Sequence, residues 1–183
     1  SFNGRPRAQR HRELNYIAVA SFHPTKTITM GQGGVILTNS RVIDESLREL
    51  RRFGSSVVVE TTLYGGNFMP TEIGCVLAIS QLNRIDEIIL AKKEIYQVYH
   101  QFLSPWLIPH DPDSAFHLAV LKCPDQPTKT AVATALNEFV ETRDHYPADG
   151  WITLSLPMWN EQLALRVAKV AKNILENCWN TPV

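Results

Sequence analysis

Residues 17–39 place the tightest constraint on this chain. Two apolar runs, Ile17-Ala18-Val19-Ala20 and Val35-Ile36-Leu37, are joined through Lys26 and the cluster Gly31-Gln32-Gly33-Gly34. Apolar runs of this length, bounded by turn residues, form strands. Tyr16 to Phe22 is expected as a buried strand and Gly34 to Thr38 as its antiparallel partner across the glycine turn. Lys26 falls between the first strand and that turn, so backbone structure on both sides holds it, unlike a lysine waving in solvent. A lysine alone carries little information, because most are solvated surface charges. The glycine cluster is equally weak alone, and its spacing fits neither the dinucleotide nor the Walker phosphate loop.

Downstream, Asp44 to Phe53 fits a helix, with Leu47 and Leu50 on one face and Gly54 as its stop. Residues 55–69 read as loop with some β character. Pro70-Thr71-Glu72 opens a helical run whose apolar positions recur through about Leu103. Two helices with a bend, or one helix bridging two domains, would satisfy that length. Gly74, Cys75 and Ala78 would let another element approach closely. Pro105 and Pro109 end the run. Beyond them, Phe116 to Lys122 and Ile152 to Leu156 are strand-like. Thr128 and Asn160 are suited to cap two further helices, with Val132, Leu136, Phe139 and Val140 on one and Leu163, Val167, Val170 and Ile174 on the other.

With 183 residues, 44% hydrophobic, the chain can bury one large or two small cores. Its formal net charge is +0, so no long-range field recruits nucleic acid or an anionic membrane. The basic cluster Arg5, Arg7, Arg10, His11 and Arg12 lacks interleaved aromatics and reads as a solvated loop. Cys75, Cys123 and Cys178 show no metal-ligand spacing, nor do the histidines, and point to a reducing compartment. No apolar run approaches the roughly 20 residues of a membrane span, and no signal peptide is read, so a cytoplasmic location is expected.

Four blocks carry a resemblance. The first is Ser21-Phe22-His23-Pro24-Thr25-Lys26, followed by Gly31-Gln32-Gly33-Gly34 and Thr38-Asn39. The second is Gly65-Gly66-Asn67-Phe68-Met69-Pro70-Thr71-Glu72, running into Gln81-Leu82-Asn83-Arg84-Ile85-Asp86-Glu87. Glu141-Thr142-Arg143-Asp144-His145-Tyr146-Pro147 and Leu154-Ser155-Leu156-Pro157 complete the series. In this order they resemble the C-terminal half of the DegT/DnrJ/EryC1/StrS family of sugar-nucleotide aminotransferases that depend on pyridoxal 5'-phosphate (PLP). The resemblance implies an α/β chain with a partial PLP-dependent transferase fold of type I. Residues 1–88 would be the C-terminal part of the PLP-binding large domain, and 89–183 the small C-terminal α/β domain, joined by a long helix. The match begins near what would be the middle of a family member. A truncated piece, a processed product and a natural half-length protein all fit that start.

The resemblance also implies roles. Lys26 would be the catalytic lysine that forms a Schiff base with the PLP aldehyde and carries a proton during amino transfer. Ser21 would bind the PLP phosphate, and Asn67 would reach the phosphate of a neighbouring subunit's cofactor. His23, His145 and Tyr146 would line the substrate pocket. Each has a plainer alternative: a strand-end serine, a turn asparagine, a packed imidazole, a His-Tyr-Pro turn. The implied partners are a nucleotide-linked keto sugar, an amino donor such as glutamate, and a second copy of the chain in a homodimer.

The sequence also departs from the family pattern. Gln32 stands where glutamate is usual, and Met69 where a basic residue is usual. The groups that stack on the PLP ring, pair with its nitrogen and cradle its phosphate at a helix N-terminus belong to the family's first half. A non-catalytic remnant or interaction module that binds no cofactor is therefore the alternative. Dehydrating relatives tend to carry histidine where Lys26 stands.

Overall fold

A computed structural model describes residues 16–55, 61, 63–137, 143–144, 153–158 and 160–179. The chain divides into two compact units, Ser1–Ile85 and Asp86–Val183.

In the first unit, β1 (Ile17–Ser21) and β2 (Gly34–Thr38) pair antiparallel, with Ile17 opposite Thr38 and Ser21 opposite Gly34. The glycine turn thus pairs the strands as expected. The expected burial is not observed. Val19 is 74% exposed and Ile36 46%, because among the described residues these side chains of the two-stranded hairpin are left uncovered. Helix α1 (Arg41–Leu50) starts three residues before Asp44 because the Ser40 hydroxyl accepts from the Ile43 N–H. It ends where Phe53 and Gly54 turn left-handed and the Gly54 N–H closes onto the Glu49 carbonyl at 2.9 Å. Helix α2 (Glu72–Leu82) is capped by Thr71, whose hydroxyl accepts from the Gly74 N–H at 3.1 Å.

The helical run expected through Leu103 is two helices. α2 stops at Asn83, and α3 (Ile85–Leu103) follows after Arg84. Of the two forms that would satisfy the length, the two-helix one is observed, with the break at 83–84.

The second unit has the larger core. β3 (Ala119–Lys122), α4 (Gln126–Asn137), β4 (Arg143–Asp144), β5 (Thr153–Leu156) and α5 (Glu161–Trp179) follow α3. The sheet runs β3-β5-β4, antiparallel throughout, with Ala119 opposite Leu156 and Arg143 opposite Ser155. Residues 106–108 add backbone bonds along β3 through Ile108 N–H to Val120 O and Lys122 N–H to Trp106 O. Tyr99, Leu103, Leu121, Val132, Leu136, Leu156, Val167 and Leu175 are fully buried. The Tyr99 hydroxyl donates to the Pro157 carbonyl at 2.6 Å, which meets the need of a buried donor. Burial pushes that phenol well above its ordinary range.

Two expectations about α4 and β3 shift. Asp125, not Thr128, caps α4: its carboxylate accepts the Thr128 N–H at 2.7 Å. β3 begins at Ala119 rather than Phe116, whose φ of 45° interrupts the strand. Asn160 caps α5 as expected, accepting from Leu163 N–H at 3.0 Å. Phe139 and Val140 lie outside the described residues.

Candidate active site

The lysine loop is built from β1 outward. Phe22, 6% exposed, anchors its start, and Ile28 and Met30, 3% and 8% exposed, anchor its end. Between them the chain makes a β-turn closed by Lys26 N–H to the His23 carbonyl at 2.9 Å. Pro24 sits at the second turn position, where its fixed φ is preset. The His23 ring serves the same turn: Nδ1 accepts the Thr25 N–H at 3.3 Å and lies 3.0 Å from the Thr25 hydroxyl. The Ser21 hydroxyl accepts the His23 N–H at 3.3 Å. Met30 N–H donates to the Phe22 carbonyl at 3.0 Å, and Phe22 N–H to the Gly33 carbonyl at 2.9 Å. The loop base is thus stitched to the mouth of the hairpin.

Glycine is required where the loop rejoins β2. Gly33 has φ 148°, and a Cβ on Gly34 would meet the Ala20 carbonyl oxygen at 2.7 Å. Gln32, just before Gly33, is exposed.

Lys26 has its backbone fixed and its side chain exposed. The expected freedom from solvent therefore holds for its backbone and fails for its amine. Among the described residues the Lys26 side chain is left open to solvent.

Helix α2 fixes the loop from the other side. The Gln81 side chain accepts from Thr29 N–H at 3.0 Å and donates to the Thr29 carbonyl at 2.7 Å. Gln81 lies within the second block, but nothing in that block's spacing assigns it a task. A contact across 52 positions leaves no mark on local spacing.

Asn67 stands on a second segment of the same unit. Gly66 N–H donates to Leu50 O and Phe68 N–H to Arg51 O, both at 3.0 Å, so the segment lies along the end of α1. A Cβ on Gly65 would meet the Leu50 carbonyl oxygen at 2.5 Å, which explains the glycine there. Asn67 forms an isolated antiparallel bridge with Arg52, and its side chain is exposed, as is that of Met69. Ser21, His23 and Lys26 are thus brought together on one loop, with Asn67 on another. His145 and Tyr146 lie outside the described residues. Among the described residues, no group of three or more His, Cys, Asp or Glu could hold a metal ion. None of the described helices is long and apolar enough to cross a membrane.

The fold is similar to that of solved aminotransferases. TlmJ from Streptoalloteichus hindustanus matches with a TM-score of 0.78 at 21% identity, over 88% of this chain and 53% of that one. PseC from Helicobacter pylori, an aminotransferase involved in the biosynthesis of pseudoaminic acid, matches with a TM-score of 0.76 at 22% identity, over 88% and 53%. The fold is accordingly a partial PLP-dependent transferase fold of type I, and the chain spans about half the length of these structures. The chain belongs to the DegT/DnrJ/EryC1/StrS aminotransferase family, whose model matches residues 4–183. GDP-perosamine synthase from Vibrio cholerae is 31% identical over 108 residues, covering 55% of this chain and 29% of that protein.

Proposed function

We propose that this chain is the C-terminal half of a PLP-dependent aminotransferase that moves an amino group, from glutamate, onto a nucleotide-linked keto sugar. The observation that carries this reading is the presentation of Lys26. A primary amine stands on a proline-preset turn whose two ends are pinned by buried Phe22, Ile28 and Met30. The family match over residues 4–183 supports the reaction class, and the name of the perosamine synthase supports a nucleotide-linked sugar.

The residues present fit the two ends of the cofactor. Lys26 offers an exposed amine to an aldehyde. The Ser21 hydroxyl accepts from His23 N–H, which leaves its own proton to donate to a phosphate oxygen. Bound there, PLP supplies the electron sink that lets an amino group pass between two carbon skeletons. Lys26 would hold the cofactor through its amine and would carry a proton to and from the reacting carbon. The turn around it limits where Nζ can travel, so the proton is delivered to one locus. Asn67 would reach a cofactor phosphate held by a second copy of the chain, which would make the enzyme a homodimer. His23, with Nδ1 committed to its own turn, contributes a ring wall beside Lys26.

A second reading is a non-catalytic module of the same fold. The amide of Gln32 and the thioether of Met69, in place of a carboxylate and a cation, favour it. The two separate when the complete protein is given PLP, nitrogen-labelled glutamate and a nucleotide-linked keto sugar. Labelled amino sugar, lost in Lys26→Ala, supports the enzyme. No label transfer, with no cofactor bound, supports the module.

A further inference from the structure

Thr29 has no strand partner, and both of its backbone groups go to one side chain. Gln81 accepts the Thr29 N–H at 3.0 Å and donates to the Thr29 carbonyl at 2.7 Å. The second proton on Nε2 goes to the Leu77 carbonyl at 3.0 Å, one turn back in α2. The amide thus acts as a single peptide group of a missing strand, held in one rotamer by its own helix. The Thr29 hydroxyl continues the network, donating to the Phe22 carbonyl at 3.0 Å and accepting the Gly31 N–H at 2.9 Å.

We propose that Gln81 is a positioning residue for Lys26, a role that rests on the reading of Lys26 as the cofactor lysine. Phe22, Ile28 and Met30 bury the ends of the loop, but apolar contacts are non-directional and do not set register. The Gln81–Thr29 pair does: it fixes both backbone groups of one residue, three positions beyond Lys26, in direction and in distance from α2. Leucine or methionine could fill the same volume, yet neither could replace the paired donor and acceptor. Glutamate could keep the acceptor but would face the Thr29 carbonyl with no proton. The consequence is that the reach of Nζ depends on a residue that touches neither cofactor nor substrate.

The test uses Gln81→Met and Gln81→Glu in the complete protein. PLP is added below saturation, the mixture is reduced with borohydride, and labelling at Lys26 is read against exposed Lys93 in the same sample. Loss of the paired donor and acceptor, partly recovered by water, should cut relative Lys26 labelling about tenfold in Gln81→Met. Gln81→Glu should fall between that and wild type. The Thr29 amide should exchange with solvent faster in Gln81→Met, which removes its acceptor, while melting shifts by only a few degrees.

Unchanged Lys26 labelling with faster Thr29 exchange would overturn the proposal, leaving the bond as ordinary scaffolding. If neither variant folds, Thr29 exchange in the wild type decides. A protected amide, further slowed when Lys26 is labelled, supports the proposal, and an unprotected one overturns it. Wild-type labelling at a lysine other than Lys26 would instead refute the assignment of Lys26 itself, before any variant is made.

Discussion

A Cβ on Gly74 would stand 2.8 Å from the carbonyl oxygen of Met30, so α2 and the lysine loop touch with no side chain between them. Gly74 and Ala78 are the buried residues of α2. The small residues therefore serve contact within this unit, which explains a glycine in a helix that would otherwise favour alanine.

Gly74→Ala tests that contact by its sign. In an open helix interior this change stabilises by about 1 kcal/mol. Here the added carbon overlaps a backbone oxygen and the Thr71 hydroxyl at 2.9 Å, which cannot both yield. A net loss of about 1–2 kcal/mol is expected, read from the denaturant midpoint. A raised midpoint would show that the loop and α2 are not in backbone contact.

Self-association should follow the outer face of α2. Ile73, Val76 and Ile79 are 85%, 69% and 57% exposed. Exposed apolar surface of this kind marks an interaction site. The proposed homodimer uses it, so Val76→Glu should weaken dimerisation at least about tenfold in sedimentation, by burying a charge at the contact. Ala78, being buried, would disturb the unit itself and is the wrong probe. Unchanged dimerisation in Val76→Glu would place the interface elsewhere.

The thiols should differ in reactivity. Cys178 is exposed, whereas Cys123 is buried and its thiol is pushed from 9.0 up to about 11 by burial. An alkylating reagent at neutral pH should modify Cys178 first and Cys123 only on unfolding. The raised value also sets a pH dependence. The neutral thiol is favoured in the folded state, so its contribution is intact below pH 9.0 and is lost as pH rises towards 11. Across that window stability should fall by at most about 1.4 kcal/mol per pH unit from this group. Cys123→Ala should remove that slope. Cys123 alkylating as fast as Cys178 in the folded protein would contradict its burial.

Much of this was legible from short-range chemistry. The hairpin, the Thr71 and Asn160 caps and the stop before Pro105 each follow from residues within a few positions of one another. What the sequence hid was longer in range or absent from the chain. Nothing near Gln81 announces Thr29. The alanines Ala164, Ala168 and Ala171, fully buried on α5, do not register in a search for large apolar residues. The strands were expected to be buried because Ile17, Val19, Ile36 and Leu37 are apolar. Apolarity states what a residue would gain by being covered, not whether this chain supplies the cover. Lys26 is exposed for the same reason.

The most direct measurement is the identity of the lysine that holds the cofactor. The complete protein is incubated with PLP, reduced with borohydride, digested and mapped by mass spectrometry. One stoichiometric adduct at Lys26, with the other lysines unmodified, is the predicted result. A stoichiometric adduct at any other lysine, with Lys26 free, would contradict it.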